Sequence, residues 1–172
     1  MKRLFVFTVV VVAGVAAAVG QATTAHSVDL ASATIDGHRV LGRTVAGVTA
    51  VLGRPDFRAG NQQRYRVGRD EPTDFSLEVL FRRSGGTLRA WSVVFERGAV
   101  RDPKLGDLLA RLPVSLQAAI RSRYADRYRL LRGYHCRANG DCVGEFAQPS
   151  GSLRLSFGTE PAHGRWLTLW TN

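Results

Sequence analysis

Apolar side chains recur along this chain with two periods, and the periods alternate. In Phe75-Ser76-Leu77-Glu78-Val79-Leu80-Phe81 the alternation of apolar and polar positions predicts a half-buried strand. Arg64-Tyr65-Arg66-Val67 repeats it over a shorter span, and Ser84-Gly85-Gly86-Thr87 reads as a turn leading into a strand over Leu88–Phe95. Upstream the period changes. Val45, Val48 and Leu52 fall on one helical face behind Thr44, a good N-cap, while Gly53 and Pro55 prevent the helix from continuing. Earlier still, Ala33-Thr34-Ile35 and His38–Leu41 flank Asp36-Gly37, a hairpin signal that follows a short polar lead, His26–Ser32. The first half thus predicts a helix followed by three strands.

The second half predicts the same order. Asp102-Pro103 is a cap followed by proline at the first helical position, and Leu105, Leu108, Leu109 and Leu112 keep helical spacing until Pro113. Ser115 then caps a stretch with Leu116, Ala119, Ile120 and Tyr124 on one side. Strands are expected at about Tyr128–Cys136, Cys142–Ala147, Leu153–Phe157 and Arg165–Trp170. The expected fold class is α+β: an antiparallel sheet with helices packed on one face, built as a tandem helix-then-strands pseudo-repeat with halves at about 33–98 and 102–172. Element order alone carries the repeat, because identity between the halves is slight.

The N-terminus changes the picture of where this fold works. Met1-Lys2-Arg3 is followed by an uncharged apolar run, Leu4–Val19, and then by small residues around Ala22 and Ala25. That layout predicts a signal peptide over 1–25 and a single domain over 26–172, with cleavage after Ala22 or Ala25. A retained anchor is the alternative, but the run is near the short end for a bilayer span, so the mature form is expected not to cross the membrane. No cysteine stands near the cleavage region, which excludes a lipoprotein anchor, and no Arg-Arg pair precedes the run. The expected location is extracellular or envelope-associated. The formal net charge of +10 is carried by 22 Arg and 2 Lys, a bias that a GC-rich genome also produces.

Export makes an oxidised pair of the two cysteines, Cys136 and Cys142, the expectation. A two-residue turn at Asn139-Gly140 leaves them one step out of register. A three-residue loop, Ala138-Asn139-Gly140, puts Gly140 at the left-handed bulge position and sets Cys136 opposite Cys142.

The stretch Gly42-Arg43-Thr44-Val45-Ala46-Gly47-Val48-Thr49-Ala50-Val51-Leu52-Gly53-Arg54-Pro55-Asp56, with the strands that follow it to about residue 97, resembles the BamE (SmpA/OmlA) superfamily. That grouping is similar in fold to the secreted β-lactamase-inhibitor proteins, which join two such units in tandem. The resemblance implies a non-enzymatic module that binds proteins at a cell envelope or outside the cell. The chain departs from it in lacking a lipid-bearing cysteine and, in its second half, the Leu-Gly-x-Pro helix exit.

Enzymatic chemistry finds little support in the residues. His26, His38, His135 and His163 lack metal-type spacing, and His135 and Cys136, as strand neighbours, point to opposite faces. No nucleophile-elbow, zinc, P-loop or dinucleotide motif occurs, and Asp70, Glu71 and Asp74 read as a solvated loop. No catalytic residue, metal or cofactor is expected. The aromatics say more. In Trp166-Leu167-Thr168-Leu169-Trp170 the tryptophans point one way and the leucines the other, and Trp91 shares a face with Val93 and Phe95, opposite Ala90, Ser92 and Val94. Either the tryptophans enter the core or they lie on an open face near arginines such as Arg64, Arg66, Arg89 or Arg165.

The leading expectation is a secreted protein-binding module whose contacts include Trp166, Trp170, Trp91, Arg165, Arg64 and Arg66, with an extracellular or envelope protein as partner. Two alternatives are a basic envelope protein held by anionic wall polymer or lipid, and a small hydrolase without a recognisable motif. Nucleic acid is not an expected partner, since no binding module is present.

Overall fold

Thr44 has an extended backbone (φ −70°, ψ 166°), and its hydroxyl accepts the Gly47 N–H at 3.2 Å, one of the donors that a helix start leaves open. Helix α1 (Val45–Leu52) follows, and Gly53 closes it at φ 81°, a left-handed conformation that glycine adopts without a Cβ clash. The structure, a computed structural model, describes residues 26–66, 75–96, 113–160 and 164–172, except for the side chains at 66, 75, 76, 96, 113, 160, 164 and 165. Helix α1 is preceded by three short strands, β1 (Val28–Asp29), β2 (Thr34–Ile35) and β3 (His38–Arg39). Asp36 and Gly37, with φ of 51° and 75°, make the tight turn between β2 and β3. The lead is less polar in place than in sequence: Val28 and Leu30 are buried, and so is His26, whose Nδ1 lies 2.6 Å from Asp36 Oδ2.

Four strands follow α1 where three were expected: β4 (Phe57–Ala59), β5 (Gln62–Arg66), β6 (Phe75–Ser84) and β7 (Thr87–Glu96). Strand β4 is three exposed residues with no alternation to announce it. The next described helix, α2 (Pro113–Arg123), takes in Ser115 as its third residue, which corrects the expectation that Ser115 caps it from outside. Proline's fixed φ suits the first helical position, where its missing N–H has no partner to lose. The expected leucine helix at 105–112 lies outside the described residues. Strands β8 (Arg129–Cys136), β9 (Cys142–Ala147), β10 (Leu153–Glu160) and β11 (Gly164–Thr171) complete the chain.

All of β4 to β11 join one antiparallel sheet in the order β4-β5-β6-β7-β11-β10-β9-β8, so the last strand of each four-strand set meets the other at the centre. The described chain is therefore mostly antiparallel sheet with two helices, an α+β protein. Register aligns its core. Tyr65, Leu77, Phe95, Leu167 and Phe157 pair in succession across five strands, and Val79, Val93, Leu169, Leu155 and Phe146 form the next row. These side chains are buried in one cluster with Val48 and Leu52 of α1 and Leu116 and Ile120 of α2. One polar thread crosses it: Tyr65 donates to Gln63 Oε1 at 3.0 Å, and Gln63 Nε2 donates to Thr49 Oγ1 at 3.1 Å. Burial pushes the Tyr65 hydroxyl up to about 12.

Candidate functional site

A strand that buries every second residue must present the others on its opposite face. Here the opposite face carries Arg64, Glu78, Val94, Thr168, Ser156 and Glu145 in one cross-strand row. The adjoining rows hold Trp170 opposite Arg154 and Trp166 opposite Gly158. Leu167 and Leu169 are buried, at 0% and 2% exposure, while Trp166 and Trp170 are half-buried on the other side of β11. Both tryptophans thus share the face away from the leucine core, as the two-residue period requires.

The side chains of this face are locked to one another. Trp170 Nε1 donates to Ser156 Oγ at 2.8 Å, and the Arg154 guanidinium lies 5.1 Å from the Trp170 ring centroid. Arg154 Nη1 also donates to Glu145 Oε1 at 2.5 Å. Toward the other edge of the same face Arg64 repeats the arrangement, with Nε donating to Glu78 Oε1 at 2.9 Å and the guanidinium 5.4 Å from the Phe57 ring. Each arginine is held between a carboxylate on the neighbouring strand and an aromatic ring. This is a charge-balanced aromatic surface, on which Arg64 is paired with a carboxylate.

Trp166 lies flat because its cross-strand neighbour is glycine. A Cβ on Gly158 would stand 2.6 Å from the indole, a distance that real Cβ atoms do not tolerate. The indole N–H of Trp166 is buried and, among the described residues, has no hydrogen-bond partner. A second glycine, Gly144, makes the matching allowance on the core face, where the Phe157 ring covers it.

Trp91 corrects the alternation read from sequence. Val79 pairs with Val93 and Leu80 with Ser92, but Phe81 pairs with Ala90, so Trp91 is the extra residue of a β-bulge. Ala90 is buried on the side of Val93, and Trp91 stands half-buried with the Arg82 guanidinium 5.6 Å from its ring. It borders an open depression of about 430 Å³ with Asn61, Phe81, Arg82, Arg83 and Leu88, separate from the Trp166–Trp170 pair. Arg66 and Arg165 occupy strand positions in β5 and β11, and their side chains lie outside the described residues. Asp70, Glu71, Asp74 and His163 are also outside them. Arg89 donates to the Gly42 carbonyl at 3.0 Å.

At the β8–β9 hairpin Cys136 and Cys142 pair in register and are disulfide-bonded. Arg137 N donates to Asp141 O at 2.8 Å, and Gly140 has φ 86°, which is the three-residue loop with its glycine bulge. His135 Nδ1 lies 3.0 Å from the Gly133 carbonyl and faces no thiolate. Among the described residues no group of three His, Cys, Asp or Glu side chains is placed to hold a metal, and no helix is long and apolar enough to cross a membrane.

Sequence reading located Trp166, Trp170 and Arg64 but missed Arg154, Glu145, Glu78 and Ser156. The alternation in Leu153–Phe157 already puts Arg154 and Ser156 opposite the apolar side chains. What it lacks is the strand order that brings them to Trp170. No protein-family model, curated protein or solved structure matches this chain.

Proposed function

We propose that this chain is an exported, non-enzymatic binding module that engages a protein partner through the open face of its sheet. The carrying observation is the pair of tryptophans on β11, Trp166 and Trp170, on the face away from the core, with Arg154 stacked on Trp170 and tied to Glu145. Tryptophan and arginine dominate binding energies because they cover large areas with few rotatable bonds, and rings already fixed by neighbours lose less freedom on docking. In the same reading α1 and α2 both cover the leucine side, and the two helix-plus-four-strand halves are a BamE-like pseudo-repeat, the tandem arrangement of the inhibitor-like fold. The apolar run at Leu4–Val19 and the Cys136–Cys142 bond support export as the route to that partner.

Capture of partners from the organism's own culture fluid, with the wild-type chain and the Trp166→Ala/Trp170→Ala variant as paired baits, tests this. A partner retained by the wild type at about 1 M salt, where screening leaves little long-range charge attraction, and released by the variant is the expected result. A partner bound equally by both baits refutes the face assignment.

A further inference from the structure

At the other end of the sheet, β8 is an edge strand, and an edge exposes unpaired backbone groups that invite pairing with another chain. Proteins commonly blunt such edges with bulges and charge, and this one has both. Its register with β9 shifts between Leu130 and Arg132 and again between Arg132 and His135. The segment from the last turn of α2 into β8, residues 121–132, holds Arg121, Arg123, Arg127, Arg129 and Arg132 against a single acid, Asp126, which lies 3.2 Å from Arg127. All five arginines are exposed. Edge protection and helix C-terminal charge account for the arginines. They do not account for the two residues in their midst. Leu130 is 39% exposed and Leu131 54% exposed, side by side on the strand where an apolar pair most favours aggregation.

We propose that this arginine-ringed leucine pair is a docking surface for an anionic lipid bilayer. Register puts Leu130 opposite Phe146 and Arg129 opposite Ala147, so the leucine and the arginine emerge on different sides of one edge. The bulge leaves Leu131 without a cross-strand partner, turned out beside them. An edge presented to a membrane places both leucines at the level of the acyl boundary while long guanidinium side chains spread to lipid phosphates, which they grip with paired hydrogen bonds. The net charge of +4 over these twelve residues supplies the attraction to anionic headgroups. A soluble polyanion would use the arginines and ignore the leucines. This surface is remote in sequence from the tryptophans of β11 and is independent of the protein-binding reading.

Co-sedimentation of the exported chain with vesicles of phosphatidylcholine, with and without phosphatidylglycerol, tests the proposal. The wild type is expected to pellet only with the phosphatidylglycerol vesicles at about 0.1 M salt. Arg129→Ala/Arg132→Ala should lower the partition coefficient about 25-fold, near fivefold per lost charge, and Leu130→Ala/Leu131→Ala about tenfold. Far-ultraviolet circular dichroism checks that both variants keep the sheet, and Trp166→Ala/Trp170→Ala should pellet like wild type. No pelleting with anionic vesicles overturns the proposal. Undiminished pelleting of the leucine variant overturns it in favour of a polyanion site, the more so if soluble polyphosphate strips the chain from the vesicles.

Discussion

Leu167 and Trp170 stand three residues apart on one strand, and truncating each should destabilise the fold to a different extent. Leu167 is fully buried, in a central strand of the eight-stranded sheet, with Phe95 and Phe157 as its two cross-strand neighbours. Replacing it with alanine removes an isopropyl group from between two rings that are themselves fully buried, so the site has little freedom to collapse. The cost should be about 3–4 kcal/mol, transfer and cavity together. Trp170→Ala removes one hydrogen bond, to Ser156, and the ring beneath Arg154, while Arg154 keeps its carboxylate partner Glu145. Each lost contact is worth about 1 kcal/mol, so the loss should stay near 2 kcal/mol or below. Urea unfolding of the oxidised variants, followed by fluorescence with a common slope, measures both. Against a domain stability of roughly 5–15 kcal/mol the difference is readily resolved. A Trp170→Ala variant destabilised as much as Leu167→Ala would mean that the tryptophan face is buried in the working protein, and the binding-face assignment would fall.

Reduction of the Cys136–Cys142 bond, or Cys136→Ser/Cys142→Ser, should cost about 2 kcal/mol, the chain-entropy value for so short a loop, and unfolding curves with and without reductant measure it. The Tyr65 hydroxyl keeps its proton in the folded state to about pH 12, whereas the unfolded chain releases it near 10. Stability from this group is therefore complete below pH 10 and falls by about 1.4 kcal/mol per unit between the two values. Tyr65→Phe should flatten that fall in alkaline denaturant titrations, leaving the part due to Tyr128, whose hydroxyl burial also pushes upward.

Local rules were enough for the parts of this protein whose causes are local. The capped and glycine-stopped helix Val45–Leu52, the Asp36-Gly37 turn, the three-residue loop that brings Cys136 to Cys142 and the two faces of β11 all follow from residues within a few positions of one another. Where a short element had no pattern of its own, as in β4, or where a good capping residue, Ser115, stands inside the helix and not before it, local rules chose wrongly or not at all. The bulge that moves Ala90 into the core and Trp91 out of register depends on how β7 meets β6, which no property of β7 alone reveals.

The site belongs to the second category. Arg64 with Glu78, and Arg154 with Glu145 and Trp170, are pairs made between strands, and their partners lie 9 to 16 residues apart or on strands joined only by the sheet order. Sequence determined that β11 would show two tryptophans on one side and two leucines on the other. Only the tertiary structure decided that the leucines take the core, because seven further strands had to align their apolar rows before either face could be buried.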